Sequence, residues 1–134
     1  MDTIGMTIEI RMLAWAIVLG LLHVVLAVVL ATRDKGLKWN MSPRDAEGAP
    51  VGAVTARVDR ALRNFLETFP FFVAAVLAAA LTGRVDATTA LGAQLYFWAR
   101  VAYVPLYAAG VPAVRTLVWG VSIVGLLMVL AGLL

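Results

Sequence analysis

The chain has 134 residues, of which 63% are hydrophobic and 14% are charged, and its mean hydropathy is +0.94. Soluble domains carry roughly 25% charged residues, so this composition excludes a soluble globular protein and predicts an integral membrane protein. The formal charge of +3 comes from Lys and Arg residues that crowd one loop beside apolar segments. A lipid bilayer is therefore the expected partner of these charges, and nucleic acid is not expected to bind.

Four apolar segments are each long enough to cross a bilayer, which needs about 20 residues of helix. In chain order, the predicted spans cover residues 12–32, 56–81, 88–108 and 113–134. The segment 33–55 is polar and rich in Gly and Pro, so it is predicted to be a loop outside the membrane. The other connections are short, which favours an up-and-down four-helix bundle. The prediction is a single all-α domain over residues 1–134.

The distribution of Lys and Arg predicts how the chain is oriented, because these residues are enriched in cytoplasmic loops. Six of them lie in the first connection or at the start of the second span: Arg33, Lys35, Lys38, Arg44, Arg57 and Arg60. On the opposite side lie Arg11 and Arg84. We therefore expect a cytoplasmic loop at 33–55, with both termini on the non-cytoplasmic side.

The second span begins with polar residues that share one face of a helix. Arg60, Asn64 and Glu67 follow each other at spacings of four and three, and Arg63 lies beside them. A charged side chain at the bilayer centre costs about 2.5–3.5 kcal/mol, so such residues face a bundle interior or an aqueous cavity and indicate a function. The sequence therefore predicts a polar site at one edge of the membrane.

The third span carries a matching polar face. It consists of Tyr96, Arg100, Tyr103 and Tyr107. These groups need hydrogen-bond partners in an apolar segment, and Asn64 and Glu67 are expected at a similar depth. The alternative to a ligand site is an interhelical network that serves packing alone, in which Glu67 neutralises Arg63 or Arg100.

Arg115 and Thr116 are predicted to open the fourth helix. Backbone N–H groups are free at a helix start and the helix dipole is positive there, so an anion would meet a guanidinium, a hydroxyl and N–H donors together. A carboxylate or a thiolate suits such a site. The alternative is that Arg115 only anchors the helix at the membrane surface.

No metal site is predicted. The chain contains no cysteine and a single histidine, His23, so disulfides, a thiol nucleophile and a thiolate metal site are excluded. His23 lies within the first span, where a lone histidine is more often a buried hydrogen-bonding residue than a ligand.

Residues 60–70, Arg-Ala-Leu-Arg-Asn-Phe-Leu-Glu-Thr-Phe-Pro, resemble a known signature. It is R-A-x-x-N-x-x-E-x-x-P on the second helix of the MAPEG family, the membrane-associated proteins in eicosanoid and glutathione metabolism. The resemblance extends to the long first loop, the tyrosine-rich third span and the arginine that opens the fourth. It implies a homotrimer of four-helix protomers that binds glutathione between adjacent subunits, near the cytoplasmic face.

The resemblance also implies roles for individual residues. Arg115 is similar to the arginine that stabilises the thiolate in the conjugating enzymes of the family, and is the implied catalytic residue. The implied glutathione-binding positions are Arg33, Arg60, Asn64, Glu67, Tyr103, Tyr107 and Thr116. We add Arg63 because of its place beside the polar face. Thr68 stands where some eicosanoid enzymes have tyrosine, so the resemblance does not extend to eicosanoid specificity.

Two functions from different classes follow from these residues. The first is a glutathione transferase or peroxidase that acts on a lipophilic electrophile, with glutathione as the bound cosubstrate. The second is a non-enzymatic accessory or assembly subunit of a membrane complex that keeps the fold and the polar network. Residues 38–45 and 67–70 are most similar to a bacterial branch of the family, for which the inner membrane is the expected location.

Overall fold

A computed structural model describes residues 5–134 of the chain. Within this range the secondary structure is entirely helical, which confirms the predicted all-α class. The five helices are α1 (Ile8–Lys35), α2 (Leu37–Asn40), α3 (Ala53–Thr82), α4 (Ala87–Ala108) and α5 (Pro112–Ala131). The predicted loop 33–55 is shorter than expected, because α1 and α3 extend into it and α2 lies inside it.

Three of the long helices, α1, α3 and α5, have the length and hydropathy needed to cross a membrane. Most side chains in their apolar stretches are not buried in the protomer, as expected for helices that face lipid. The protein is an integral membrane protein. Helix α4 coincides with the predicted span 88–108, but its most apolar stretch is less hydropathic than those of the other three, because Gln94, Arg100 and three tyrosines interrupt it.

Helix α4 lies at the centre of the structure and contacts α1, α3 and α5. Its inward side is fully buried at Ala93, Tyr96 and Arg100. The ring of Tyr96 stacks on the ring of Phe72 from α3, with centroids 4.0 Å apart, and its hydroxyl hydrogen-bonds the hydroxyl of Thr68 at 3.0 Å. These polar groups of α4 are therefore enclosed by neighbouring helices and do not face lipid, which explains how a helix with several polar side chains is accommodated in a membrane protein.

Helices α4 and α5 lie in close contact where two glycines meet. A Cβ atom added to Gly92 would lie 2.6 Å from the backbone oxygen of Gly125, and one added to Gly125 would meet the backbone oxygen of Gly92. Atoms at such distances overlap, so only glycine fits at either position. Small residues that allow backbones to approach in this way are typical of membrane helix interfaces.

We predict that Gly92→Ala and Gly125→Ala each destabilise the protein by about 1–3 kcal/mol, because the added methyl groups force the backbones of α4 and α5 apart. The control is Gly120→Ala, since a Cβ there meets no atom within 4 Å. That change should leave stability equal or raise it by up to about 1 kcal/mol, as Ala favours a helix over Gly. Denaturant unfolding in detergent measures all three. Equal stability of Gly92→Ala and Gly120→Ala would contradict the close crossing.

The first connection is tied to the helices on both sides. The carboxylate of Asp34, near the end of α1, accepts hydrogen bonds from the backbone N–H of Gly52 at 2.9 Å and the hydroxyl of Thr55 at 2.6 Å. These bonds satisfy donors at the start of α3, which has no side-chain cap of its own. The carboxylate thereby fixes the end of α1 against the beginning of α3.

Candidate functional site

A polar cavity of about 420 Å³ opens between α3, α4 and α5. Its lining consists of Arg60, Arg63, Asn64, Glu67, Tyr103, Tyr107, Arg115, Thr116 and Trp119. Every residue predicted for the site except Arg33 is therefore brought to one place. Trp119 is an addition, because a tryptophan near the start of a span is also typical of residues that lie at the membrane–water interface.

The course of the chain explains why these residues meet. The first half of α3, the end of α4 and the start of α5 all lie at the same end of the structure, because successive helices run in opposite directions. On α3 and α4 the site residues repeat every three or four positions, so each helix presents one side to the cavity. Tyr96 belongs to the same predicted polar face of α4, but it is enclosed in the core and does not reach the cavity.

Tyr107 lies between two arginines from different helices. The guanidinium of Arg60 (α3) is 5.8 Å from the centre of the Tyr107 ring, and its Nε donates to the Tyr107 hydroxyl at 3.3 Å. The guanidinium of Arg115 (α5) is 4.4 Å from the centre of the same ring. Cations are attracted to the face of an aromatic ring, so Tyr107 holds both positive charges at the cavity. Tyr103 packs edge-to-face on Tyr107, with centroids 5.5 Å apart.

The acidic residues of this region do not neutralise those two cations. Arg63 forms a salt bridge with Asp59, one turn earlier on α3, at 3.0 Å. Over the described residues, Glu67, Arg60 and Arg115 form no salt bridge. The predicted alternative, in which Glu67 neutralises Arg63 or Arg100, is therefore not the arrangement found. The cavity keeps both cations and an anion available for a ligand.

Arg100 lies next to the cavity lining but is buried, with 1% of its surface exposed. Its Nη1 donates to the side-chain oxygen of Asn64 at 2.8 Å, and its guanidinium lies 4.2 Å from the ring centre of Tyr103 and 5.5 Å from that of Phe65. Its Nε has no hydrogen-bond partner within the described part of the chain. Arg100 therefore supports two lining residues, Asn64 and Tyr103, from behind.

The start of α5 differs from the prediction. The helix begins at Pro112, so Arg115 is already inside it and its backbone N–H bonds the oxygen of Val111 at 3.3 Å. The hydroxyl of Thr116 donates to the oxygen of Pro112 at 3.0 Å. The expected cluster of free N–H and O–H donors beside Arg115 is therefore absent from these two residues. The side chain of Arg115 is the group that α5 offers to an anion.

Two other predicted residues lie elsewhere. Arg33 is at the end of α1, where its Nε is 3.6 Å from the carboxylate of Asp34, and it does not line the cavity. His23 is buried in α1, and its Nε2 is within hydrogen-bond distance (3.2 Å) of the backbone oxygen of Val58 in α3. This contact is the buried hydrogen bond expected for a lone histidine in a span.

Comparison with protein-family profiles matches residues 12–134 to the MAPEG family. This match covers nearly the whole chain, including α3, α4 and α5, most of α1, and every residue of the cavity. The chain belongs to the MAPEG family. Comparisons with curated proteins and with solved structures gave no match. The resemblance seen in residues 60–70 is thus confirmed at the level of the family.

In this MAPEG protein, we predict that Asn64→Leu destabilises the fold by about 1.5–3 kcal/mol, because the buried guanidinium of Arg100 loses its hydrogen-bond acceptor. The double change Asn64→Leu with Arg100→Met removes the unpaired charge and should recover most of that loss. Unfolding of both variants and of Arg100→Met alone in detergent completes the cycle. A double variant no more stable than Asn64→Leu would show that the two side chains are not energetically coupled.

Proposed function

We propose that this MAPEG protein binds glutathione in the polar cavity and uses it as the cosubstrate of a transferase or peroxidase. The observation that supports this is the set of charges around the cavity. Glutathione carries two carboxylates and one ammonium group. The cavity offers three arginines (Arg60, Arg63 and Arg115), which suit carboxylates, and one acid, Glu67, which suits the ammonium.

The placement of the arginines strengthens the fit. The guanidinium groups of Arg60 and Arg115 lie 5.8 Å and 4.4 Å from the Tyr107 ring centre and have no acidic partner in the described structure, so two like charges face one cavity. An anionic ligand relieves that repulsion, whereas a cationic or an apolar ligand does not. The volume of about 420 Å³ is within the range of roughly 300–1,000 Å³ that is usual for small-molecule sites.

When bound, glutathione supplies a thiol, which reacts with an electrophile as the thiolate. A free thiol of this kind has a pKa of about 8.5, and a nearby cation lowers it. We assign this task to Arg115, which lines the cavity and forms no salt bridge within residues 5–134. The hydroxyls of Tyr103 and Tyr107 are hydrogen-bond donors at the same cavity.

An apolar groove below the cavity supports a lipophilic second substrate. It has a volume of about 400 Å³ and lies between the second half of α3 and the second half of α5. The lining residues are Phe71, Ala74, Ala75, Ala78, Leu126, Leu127, Leu130 and Leu133. Phe71 lies one helical turn from Glu67, so the polar and apolar regions adjoin along α3. A molecule entering from the bilayer would reach the polar cavity through this groove.

We further propose that four-helix protomers assemble as a homotrimer. The cavity is open in a single protomer, and Arg60, Arg63 and Glu67 are exposed there. A second copy placed against α3 would close the cavity. Arg33 lies outside the cavity of its own protomer, and in this assembly it would reach the cavity of a neighbouring protomer. The positively charged first connection favours the cytoplasmic side for this end of the molecule, in a bacterial inner membrane with both termini outside.

We predict that Glu67→Gln weakens glutathione binding about tenfold or more, since the ammonium loses its one acidic partner. Stability in the absence of ligand should change by less than about 0.5 kcal/mol, because Glu67 is exposed and forms no salt bridge in the described structure. Titration calorimetry gives the affinity, and thermal unfolding with and without glutathione gives the stability. The matched control is Asp45→Asn, which removes an exposed acid of the first connection that does not line the cavity. Equal affinities for wild type and Glu67→Gln would place Glu67 outside the binding site.

We predict that Arg115→Ala separates binding from chemistry. Most of the affinity should remain with the α3 residues, while the pKa of the bound thiol rises because the nearest cation is lost. Arg115→Lys should restore part of the effect, as a point charge without the planar fork. Ultraviolet absorbance of the bound thiolate, titrated with pH in wild type and both variants, measures the shift.

Two results would redirect the proposal. If the wild type binds glutathione without a thiolate signal near neutral pH, the transferase mechanism fails and a binding role remains. If glutathione at high concentration gives no thermal stabilisation, the accessory-subunit function becomes the better account. A ligand at 100 times its dissociation constant adds about 2.7 kcal/mol, so binding would not escape this measurement.

A further inference from the structure

Helix α2 presents two large apolar side chains that nothing in the described protomer covers. Leu37 is 64% exposed and Met41, which caps the helix in helical geometry, is 78% exposed. A spacing of four residues puts both on the same side of the helix. A four-residue helix with this pattern in an otherwise polar loop needs an apolar partner.

Hydrogen bonds hold α2 at the level where the first span ends. The apolar run of α1 finishes at Thr32. The backbone N–H of Gly36, just before α2, donates to the backbone oxygen of Thr32 at 2.7 Å. The side-chain amide of Asn40, the last residue of α2, donates to the hydroxyl of Thr32 at 2.5 Å. Both ends of α2 are thus tied to one residue at the membrane edge.

The sharp change of direction depends on Gly36. This residue ends α1 and precedes α2, and its φ of 92° lies in a region that residues with a Cβ atom avoid. Because the chain reverses its course here, α2 does not continue away from the membrane. It stays beside the end of α1.

The rest of the loop packs on the opposite side of α2. Trp39 is two residues from Leu37 and two from Met41, so its side chain points away from both. The Trp39 indole donates to the backbone oxygen of Ala46 at 2.8 Å, and the cationic groups of Lys35 and Arg44 lie 4.4 Å and 5.3 Å from its ring centre. The loop therefore folds around Trp39 and leaves Leu37 and Met41 outside.

We propose that α2 is an interfacial anchor, with Leu37 and Met41 immersed in the lipid headgroup region of the membrane that α1 crosses. The occupant of this apolar surface is the bilayer itself, because α2 is held at the depth of Thr32. Helices that lie in the interface plane bury an apolar side in this way and keep their polar side in water. The anchor does not depend on glutathione binding.

The absence of cysteine makes a direct test possible. Leu37→Cys, Met41→Cys and, as a control in the same loop, Ala46→Cys each accept one nitroxide label in the full chain reconstituted in phosphatidylcholine bilayers. Collisions with dissolved oxygen report lipid, and collisions with a water-soluble nickel chelate report water. The logarithm of the oxygen-to-nickel collision ratio should be clearly higher at positions 37 and 41 than at the water-exposed position 46. This difference should persist in high salt, because salt does not weaken the contact of apolar side chains with lipid.

Two results would overturn the anchor. A logarithm at 37 and 41 equal to that at 46 would place α2 in water. Labels at 37 and 41 that neither reagent reaches, with spin–spin broadening that disappears on dilution with unlabelled chain, would show that a second copy covers the surface. Both positions are exposed, so their replacement should not prevent folding. Helical circular dichroism verifies this, and either position alone decides the outcome.

Discussion

The fold depends on how one guanidinium is accommodated inside a membrane protein. Arg100 lies on the central helix α4 and is almost completely buried. A charge in this position is tolerated only with hydrogen bonds and polarisable neighbours, which Asn64 and the rings of Tyr103 and Phe65 provide. This requirement places α4 in the middle of the structure. The polar side of α4 is turned towards α3, and the apolar sides of the surrounding helices face lipid.

The cavity is a consequence of the same arrangement. Because Asn64 and Tyr103 are engaged by Arg100 from behind, their positions beside Arg60 and Arg115 are fixed without a ligand. A site whose residues are already in place loses less conformational entropy on binding. Within the described residues, Arg60 and Arg115 are nevertheless left without acidic partners, so the stability of the fold and the attraction for an anion come from different groups of residues.

The helical class and most of the cavity lining could be predicted from the sequence, because both follow from local spacing. Arg60, Asn64 and Glu67 share a side of α3 whatever its neighbours are. The choice of partners could not be predicted. Arg100 pairs with Asn64 and not with Glu67, which depends on the rotation and height of α4 against α3, and spacing within one helix contains no such information.

Tyr107 contacts both Arg60 and Arg115, so it can couple the binding of two parts of one ligand. Its hydroxyl accepts a hydrogen bond from Arg60, and its ring lies 4.4 Å from the guanidinium of Arg115. A group that draws Arg60 away therefore also alters the surroundings of Arg115. Binding of an anion at Arg60 and ionisation of a group beside Arg115 would therefore be thermodynamically linked, and linkage of this kind is reciprocal. For glutathione, the proposed ligand, ionisation of the thiol at Arg115 would change the affinity of Arg60 for a carboxylate, and binding of the carboxylate would change the acidity of the thiol.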